Sequence, residues 1–433
     1  MKVSIIGTGY VGLVTGVGFA KHGHEVVCVD KDGYKVDMIN QAEPPIYEKD
    51  LKKLLEKVVS DSKLSATMKT EEAIRDTEIT FICVGTPSKE DGSVDTSAVE
   101  KVSEEVAGAL KKKKEYHVVC VKSTVTPGTT DGKVLPTLEK SGKKVGEDFG
   151  LSMNPEFLRE GVALDDFLNP DRIVIGGIDQ RSQEFVREVY FPFKAPILLT
   201  DLRTAEMIKY ASNALLATKI SFANEVSRLC EKMGIDVYDV MDGVGMDHRI
   251  NRDFLNAGCG FGGSCFPKDV RALRSLARKE GLKTKILDAV LEVNQEQPLL
   301  TVEYLRDELE DLQGKKVAVL GLTFKGGTDD VRMTRALPMV EGLKDEGAEV
   351  IVYDPMGMKN FSKLVDGIDY ADGIEEALEG ADACIIQNDW LEFKALKSED
   401  LAGMRRKVIV DARRILDEEE LSENVTYIGV GKG

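Results

Sequence analysis

The chain has 433 residues, too many for one hydrophobic core and enough for two or three domains. Its composition, 42% hydrophobic and 31% charged, is that of a soluble globular protein. A net charge of -17 argues against a general nucleic-acid binder and against attraction to anionic membranes, so any phosphate-bearing ligand must meet a local cluster of donors.

The amino terminus, Met1-Lys2-Val3-Ser4-Ile5-Ile6, runs straight into a glycine turn without a secretory apolar region. No later apolar run approaches membrane-spanning length, and a cytoplasmic location is the expectation. Val3 to Ile6 reads as a buried strand, followed by Gly7, Gly9 and Gly12 in Gly-x-Gly-x-x-Gly spacing. A helical stretch through Ala20 follows, then a strand from Glu25 to Val29 that ends in Asp30. This is the βαβ context of a dinucleotide site: the glycines admit a pyrophosphate to a helix N-terminus, and the acid accepts from the ribose hydroxyls. A carboxylate at Asp30 repels a 2′-phosphate, which favours NAD over NADP, although Lys31 and Lys35 lie close by.

Seven cysteines are present, and Cys28, Cys83, Cys120 and Cys384 each fall in a short apolar run, as expected of reduced residues in strand cores. No Cys-x-x-Cys occurs, and His22 and His24 are placed on a surface turn, so no zinc site is expected. Between about Thr200 and Val244 the apolar residues Met207, Ile208, Ala211, Leu215, Ile220, Ala223, Val226 and Leu229 follow helical spacing and predict one long helix. Part of its apolar surface is available to a second subunit. Lys209 and Asn213, four apart, share a face as an amine and an amide suited to an anionic oxygen.

In the run from Gly260 to Asp269, a lone cysteine, Cys265, stands between a glycine turn and a helix start marked by Pro267. The helix dipole and the Lys268 ammonium both favour the thiolate there. Beyond it the opening pattern returns. Lys316 to Gly321 is again strand-then-glycine, and Glu349-Val350-Ile351-Val352-Tyr353-Asp354 parallels Glu25-Val26-Val27-Cys28-Val29-Asp30. Each half then adds further strands, Ile79 to Cys83 and Val118 to Val121 in the first, Ala383 to Ile386 and Val408 to Val410 in the second. The second copy lacks the full glycine fingerprint and is expected to bind a different nucleotide group, with Lys325 contributing charge.

These residues, together with Gly85-Thr86-Pro87, Lys122-Ser123-Thr124-Val125, Asn154-Pro155-Glu156-Phe157-Leu158-Arg159-Glu160-Gly161 and Phe324-Lys325, resemble the UDP-glucose/GDP-mannose dehydrogenase family over the whole chain. The resemblance implies two Rossmann-like, doubly wound parallel-sheet domains of the α/β class joined by a long central helix and a helical dimerisation region. It suggests an NAD-binding domain over 1–195, a central domain with the cysteine loop over 196–300 and a UDP-binding domain over 301–433. The implied activity is a four-electron oxidation of UDP-glucose to UDP-glucuronate with two NAD, through a Cys265 thiohemiacetal and thioester. GDP-mannose is the alternative substrate, and a non-catalytic nucleotide-sugar sensor is the alternative from another class.

By resemblance, Lys209 and Asn213 stabilise developing oxyanions, while Asp269, Thr124 and Glu156, with Glu160 alongside, position water and move protons. Cofactor contacts are implied for Gly7, Gly9, Tyr10, Val11, Gly12, Asp30, Lys35, Thr86, Pro87, Ser123, Thr124, Glu160, Lys268 and Arg332. Substrate contacts are implied for Glu156, Phe157, Leu158, Arg159, Glu160, Lys209, Asn213, Phe254, Leu255, Phe261, Gly262, Cys265, Phe324, Lys325 and Arg413. Arg249 is implied to reach the sugar from a neighbouring subunit of a homodimer or larger homo-oligomer. The chain departs from the family at Asn251, where glycine is common, which bears on the shape of the loop around Arg249.

Overall fold

The computed structural model describes residues Met1 to Gly433, which divide into two compact units, Met1–Ser212 and Asn213–Gly433. Eight strands build the sheet of the first: β1 (Lys2–Ile6), β2 (Glu25–Val29), β3 (Leu64–Thr67), β4 (Ile79–Ile82), β5 (His117–Val121), β6 (Phe149–Met153), β7 (Ile173–Gly177) and β8 (Ile197–Thr200). Their spatial order is β3-β2-β1-β4-β5-β6-β7-β8. The strands are short and rich in β-branched residues because both faces are covered. Val3 and Ile5 enter one core while Ile6 enters the other, and β5 is buried at every position.

The sheet is not wholly parallel. β6 and β7 pair antiparallel, Ser152 against Gly177 and Met153 against Gly176, within a sheet whose other strand pairs are parallel. Antiparallel neighbours need no crossover. The intervening chain, with its short helix Ala163–Leu168, is free to pack Phe167 against Phe19 of the first helix at a centroid distance of 5.4 Å.

In the second unit six parallel strands, β9 (Lys316–Leu320), β10 (Glu349–Tyr353), β11 (Asp369–Tyr370), β12 (Ala383–Ile386), β13 (Val408–Asp411) and β14 (Thr426–Gly429), run in the order β11-β10-β9-β12-β13-β14. This repeats the order β3-β2-β1-β4-β5-β6 strand for strand. Even the register agrees, with Lys2 opposite Glu25 and Lys316 opposite Glu349. The two halves share a doubly wound topology.

The helical stretch expected from Thr200 to Val244 is two helices, Leu202–Met233 and Val237–Gly245. Gly234, at φ 69, takes the left-handed conformation that ends the first, and the Asp236 side chain caps the second by accepting from Tyr238 N–H. The first helix crosses the boundary between the units. Lys209 belongs to the first unit and Asn213, one turn later, to the second. The surface turn assigned to His24 is also corrected: its ring is buried and its Nε2 lies 2.9 Å from the Val189 carbonyl. No helix of the structure is long and apolar enough to cross a membrane.

Candidate active site

In the first unit, each glycine of the fingerprint has its own reason. Gly7 sits at φ 97, and a Cβ there would lie 2.8 Å from the Cys83 carbonyl oxygen. A Cβ on Gly12 would fall 1.8 Å from the Gly7 oxygen, so helix and strand could not approach. Gly9 caps the helix Tyr10–Lys21, and a Cβ there would meet nothing within 4 Å, leaving open space beside the helix N-terminus. With no acidic residue in the helix's first turn, that end suits a pyrophosphate.

Asp30 completes the cradle. Its Oδ2 accepts from the Thr8 N–H at 2.8 Å and hydroxyl at 2.6 Å, and its Oδ1 accepts from Asp32 N–H at 3.1 Å. Burial pushes this carboxyl up, but the Thr8 and Asp32 donors and the Lys35 charge outweigh it and hold it below its ordinary range. The ionised acid keeps acceptor capacity for ribose hydroxyls, so these residues fit NAD.

At the carboxyl end of the sheet, the Ser123 hydroxyl donates to the Val84 carbonyl at 2.7 Å, and the Thr86 hydroxyl donates to the Thr124 carbonyl at 2.8 Å. After β6, Glu156 meets Lys209 of the long helix at 2.8 Å, both buried, and its other oxygen accepts from Leu158 N–H at 2.6 Å. Burial pushes the Glu156 carboxyl up, but the Lys209 charge and hydrogen bond, the Leu158 N–H and the Lys122 charge carry it below its ordinary value. Lys122 is itself fully buried, donating to Asn154 Oδ1 at 2.8 Å and the Tyr190 hydroxyl at 3.1 Å, and burial lowers its pKa.

The segment from Phe157 to Gly161 is held by residues that sequence reasoning missed. Arg172 stacks 3.9 Å over the Phe157 ring, Asp166 engages Arg159 at 2.6 Å, and the buried Glu48 accepts from Gly161 N–H at 2.9 Å. Arg159 thus answers first to Asp166. Glu160 follows it in the same segment. The glutamate of Tyr47-Glu48 lies far away in sequence, and only the fold brings it to Gly161.

In the second unit Cys265 caps the helix Phe266–Lys279, with Pro267 in its first turn. Of the seven cysteines it alone is not buried. Burial pushes the Cys28 and Cys83 thiols up to about 12, so those stay protonated and inert. The Cys265 Sγ lies 3.6 Å from the Ser264 hydroxyl. One turn on, buried Asp269 accepts from Asn213 Nδ2 at 2.6 Å and from Lys268 Nζ at 2.5 Å. Lys268 and Asn213 thus both meet the Asp269 carboxylate, one turn past Cys265 at the N-terminus of the helix.

The glycines before the cysteine are forced by neighbours. A Cβ on Gly260 would lie 2.6 Å from Asn294 Oδ1, one on Gly262 2.5 Å from the Met333 carbonyl oxygen, and one on Gly263 2.9 Å from the Phe324 ring. Asn294, also missed from sequence, accepts from Phe261 N–H at 2.6 Å and donates to its carbonyl at 3.0 Å, mimicking a strand partner. Phe254 and Phe261 each set their rings 6.0 Å from Phe266. The Leu255 side chain instead packs into a core cluster with Val237 and Met241.

Lys325 Nζ lies 5.6 Å over the Phe324 ring, and Arg413 reaches the Gly260 carbonyl at 3.4 Å and the Gln387 carbonyl at 2.9 Å. Two arginines are paired inside their own loops, Arg249 with Asp247 at 2.5 Å and Arg332 with Asp330 at 2.6 Å. Asn251 stands at φ 60, a left-handed backbone that glycine adopts freely and asparagine tolerates better than most residues, so the loop after Arg249 keeps its shape without glycine.

Asp354, the counterpart of Asp30, is spent differently. Its Oδ2 accepts from Leu322 N–H at 2.8 Å, Thr323 N–H at 3.1 Å and Trp390 Nε1 at 3.1 Å, and its Oδ1 from Met356 N–H at 2.9 Å and Gly357 N–H at 2.6 Å. No lone pair is left for a ribose, which separates this half from the dinucleotide cradle of the first.

Three sequence profiles of one family match the chain in order. The NAD binding domain of the UDP-glucose/GDP-mannose dehydrogenase family matches residues 1–194, its central domain 203–296 and its UDP binding domain 318–418. The chain is 44% identical to the UDP-glucose 6-dehydrogenase AglM of Haloferax volcanii over 97% of its own length and 98% of that protein's. It is 41% identical to the UDP-glucose 6-dehydrogenase TuaD of Bacillus subtilis over 100% of its own length and 93% of that protein's. Among solved structures, a UDP-glucose dehydrogenase from the hyperthermophilic archaeon Pyrobaculum islandicum is 42% identical, covering 100% of this chain and 98% of that one with a TM-score of 0.93.

Proposed function

The chain belongs to the UDP-glucose/GDP-mannose dehydrogenase family, and from that premise we propose that it oxidises UDP-glucose to UDP-glucuronate in two NAD-dependent steps at one thiol. The observation that carries this reading is Cys265, which alone among the cysteines escapes burial and heads a helix on a glycine turn. NAD, when bound, accepts the hydride leaving the sugar's C6. Lys209 holds a positive charge where an alkoxide develops as the C6 hydroxyl loses its proton, with Glu156 paired to it. The Cys265 sulfur then adds to the aldehyde carbon and gives a thiohemiacetal, whose oxygen Asn213 helps to stabilise. Loss of the second hydride to a second NAD leaves a thioester. Water positioned by Asp269 and Thr124 attacks it, the C–S bond breaks, and the acid departs with the thiolate restored.

In this reading Gly7 to Gly12, Asp30, Lys35, Thr86, Pro87, Ser123, Glu160, Lys268 and Arg332 serve the cofactor. Phe157 to Arg159, Phe254, Leu255, Phe261, Gly262, Phe324, Lys325 and Arg413 serve the nucleotide sugar. The domains are the three parts 1–195, 196–300 and 301–433. The protein works in the cytoplasm as a homodimer, for which Leu215, Phe222 and Leu229 provide an apolar stripe at seven-residue spacing on the long helix. These side chains are 63%, 52% and 60% exposed. In the dimer Arg249 exchanges Asp247 for the sugar in the partner's site.

The test is stoichiometry. Two NADH should form per sugar acid from UDP-glucose, with GDP-mannose turned over more slowly under equal conditions; a ratio of one, or faster turnover of GDP-mannose, would overturn the reading. Cys265→Ser should abolish turnover while NAD binding persists, and unchanged NADH production would exclude the covalent step.

A further inference from the structure

Glu206 is a buried carboxylate that none of the steps above uses. It lies on the long helix three residues before Lys209 and is 0% exposed. Its Oε2 accepts from Gly128 N–H at 2.7 Å and its Oε1 from Thr130 N–H at 2.8 Å. Both donors belong to the connection that leaves β5 and carries Ser123 and Thr124 a few residues earlier. That connection is fastened at its other end by the Thr86 hydroxyl on the Thr124 carbonyl, and in between Val125 is fully buried. One helical turn beyond Glu206, Lys209 grips Glu156 at the end of β6. The start of the long helix thus holds two neighbouring strand ends, one through Glu206 and one through Lys209.

We propose that Glu206 is a positioning residue for the reaction, fixing the segment that bears Thr124 in register with Lys209 through its two backbone bonds. This rests on the reading of Thr124 and Lys209 as parts of the reaction centre. A helix face bound to a single strand end would leave the next connection free to shift by the fraction of an ångström that costs rate. The carboxylate is the right group because two N–H donors converge on it and each of its oxygens takes one; an amide offers one acceptor oxygen only. Protonation has the same effect as amide substitution, because the oxygen that gains the proton becomes a poor acceptor and one of the two bonds weakens.

Burial pushes this carboxyl up to about 7, against the Thr130 and Gly128 donors that lower it. The other charged groups facing it are Asp131, on the segment it binds, and Arg203, one turn earlier on its own helix, and these two pair with each other at 2.6 Å. Arg203 is paired with Asp131 and burial prevails over its attraction, so the positioning bonds strengthen as pH rises through 7 and weaken as it falls.

Glu206→Gln in the full chain tests this, read as kcat and KM against pH with UDP-glucose and NAD. The expected result is an acid limb near pH 7 in the unsubstituted protein that the variant lacks, with a kcat lower by about tenfold at pH 8 and KM values within about twofold. Full kcat in the variant, or an acid limb that persists in it, would overturn the proposal. Should the variant fail to fold, amide exchange of the unsubstituted protein decides: protection of Gly128 and Thr130, corrected for intrinsic rates, should drop between pH 8 and pH 6, and unchanged protection would overturn it. An unsubstituted protein that makes no NADH from UDP-glucose would instead sink the reading of function, and the exchange measurement would still judge Glu206.

Discussion

Lys209 and Glu156 meet at 2.8 Å in an ion pair that neither side chain shares with solvent. One partner comes from the start of the long helix and the other from the residue run that follows β6. A pair so buried contributes little net stability, since desolvating both charges offsets most of their attraction. What it does is keep an ammonium charged in a place that would otherwise neutralise it, and keep it at a fixed point relative to the sheet's carboxyl edge.

Removing one partner should therefore be far worse than the pair's modest net worth. Glu156→Ala removes the carboxylate that lies 2.8 Å from a buried ammonium and is expected to destabilise the protein by about 3–5 kcal/mol, read from denaturant unfolding. Glu156→Gln, which keeps an acceptor and the side-chain shape, should retain most of that stability but lower kcat. An alanine variant as stable as the unsubstituted protein would contradict the buried-pair account.

Asp30 and Asp354 occupy the same place in the two doubly wound halves, and their substitutions should part company. Asp30→Ala is expected to weaken NAD binding by about 1.5–3 kcal/mol, the worth of hydrogen bonds to a charged group, with a smaller fall in melting temperature than Asp354→Ala gives because fewer donors lose their acceptor. Asp354→Ala strips the acceptor from five loop donors and should lower the melting temperature while leaving NAD affinity as it was. Calorimetric titration with NAD beside a thermal melt separates the two outcomes.

Much of this was legible in the sequence because local rules carry it. The glycine spacing after β1, the acid at the end of β2 and the repetition of that pattern from Lys316 onward predict both sheets, and the cap at Cys265 with Pro267 predicts its helix. The antiparallel return of β7 was not legible, since strand direction depends on where the chain goes between strands rather than on what the strands contain. Nor was the break at Gly234, because apolar spacing continues on either side of it. Glu48, Asn294 and Glu206 escaped for one reason: each acts on a backbone N–H far away in sequence, and a polar side chain facing a backbone group leaves no motif. Asp354 was read correctly as a counterpart of Asp30, but only the donors that fill its two oxygens separate its role from that of Asp30.

The exposed stripe on the long helix gives a direct test of assembly. Leu215→Glu with Phe222→Glu places two charges where a second subunit would need apolar contact, and sedimentation should then report a monomer in place of a dimer. If Arg249 reaches the partner's site, the same double substitution should depress turnover, and it should do so more at low protein concentration. A variant that sediments as a dimer would move the interface elsewhere.

A buried imidazole adds to the protein's acid sensitivity. His117 of β5 is 0% exposed, with Nε2 2.7 Å from the Thr80 hydroxyl and Nδ1 3.1 Å from the Thr77 carbonyl. Burial, and after it the charge of Lys113, lowers its pKa from the ordinary 6.5 to about 3. The folded state thus keeps His117 neutral where the unfolded chain would take up a proton. Stability from this source is present above about pH 6.5 and drains away as pH falls toward 3, by an amount on the order of 5 kcal/mol over the whole window. Replacing the ring with glutamine removes the titration but keeps hydrogen-bonding groups, so the His117→Gln protein should be less stable at pH 7.5 yet lose less between pH 6.5 and pH 4.5. Denaturant midpoints across that range check it, and parallel curves for the two proteins would show that the acid sensitivity lies in other groups.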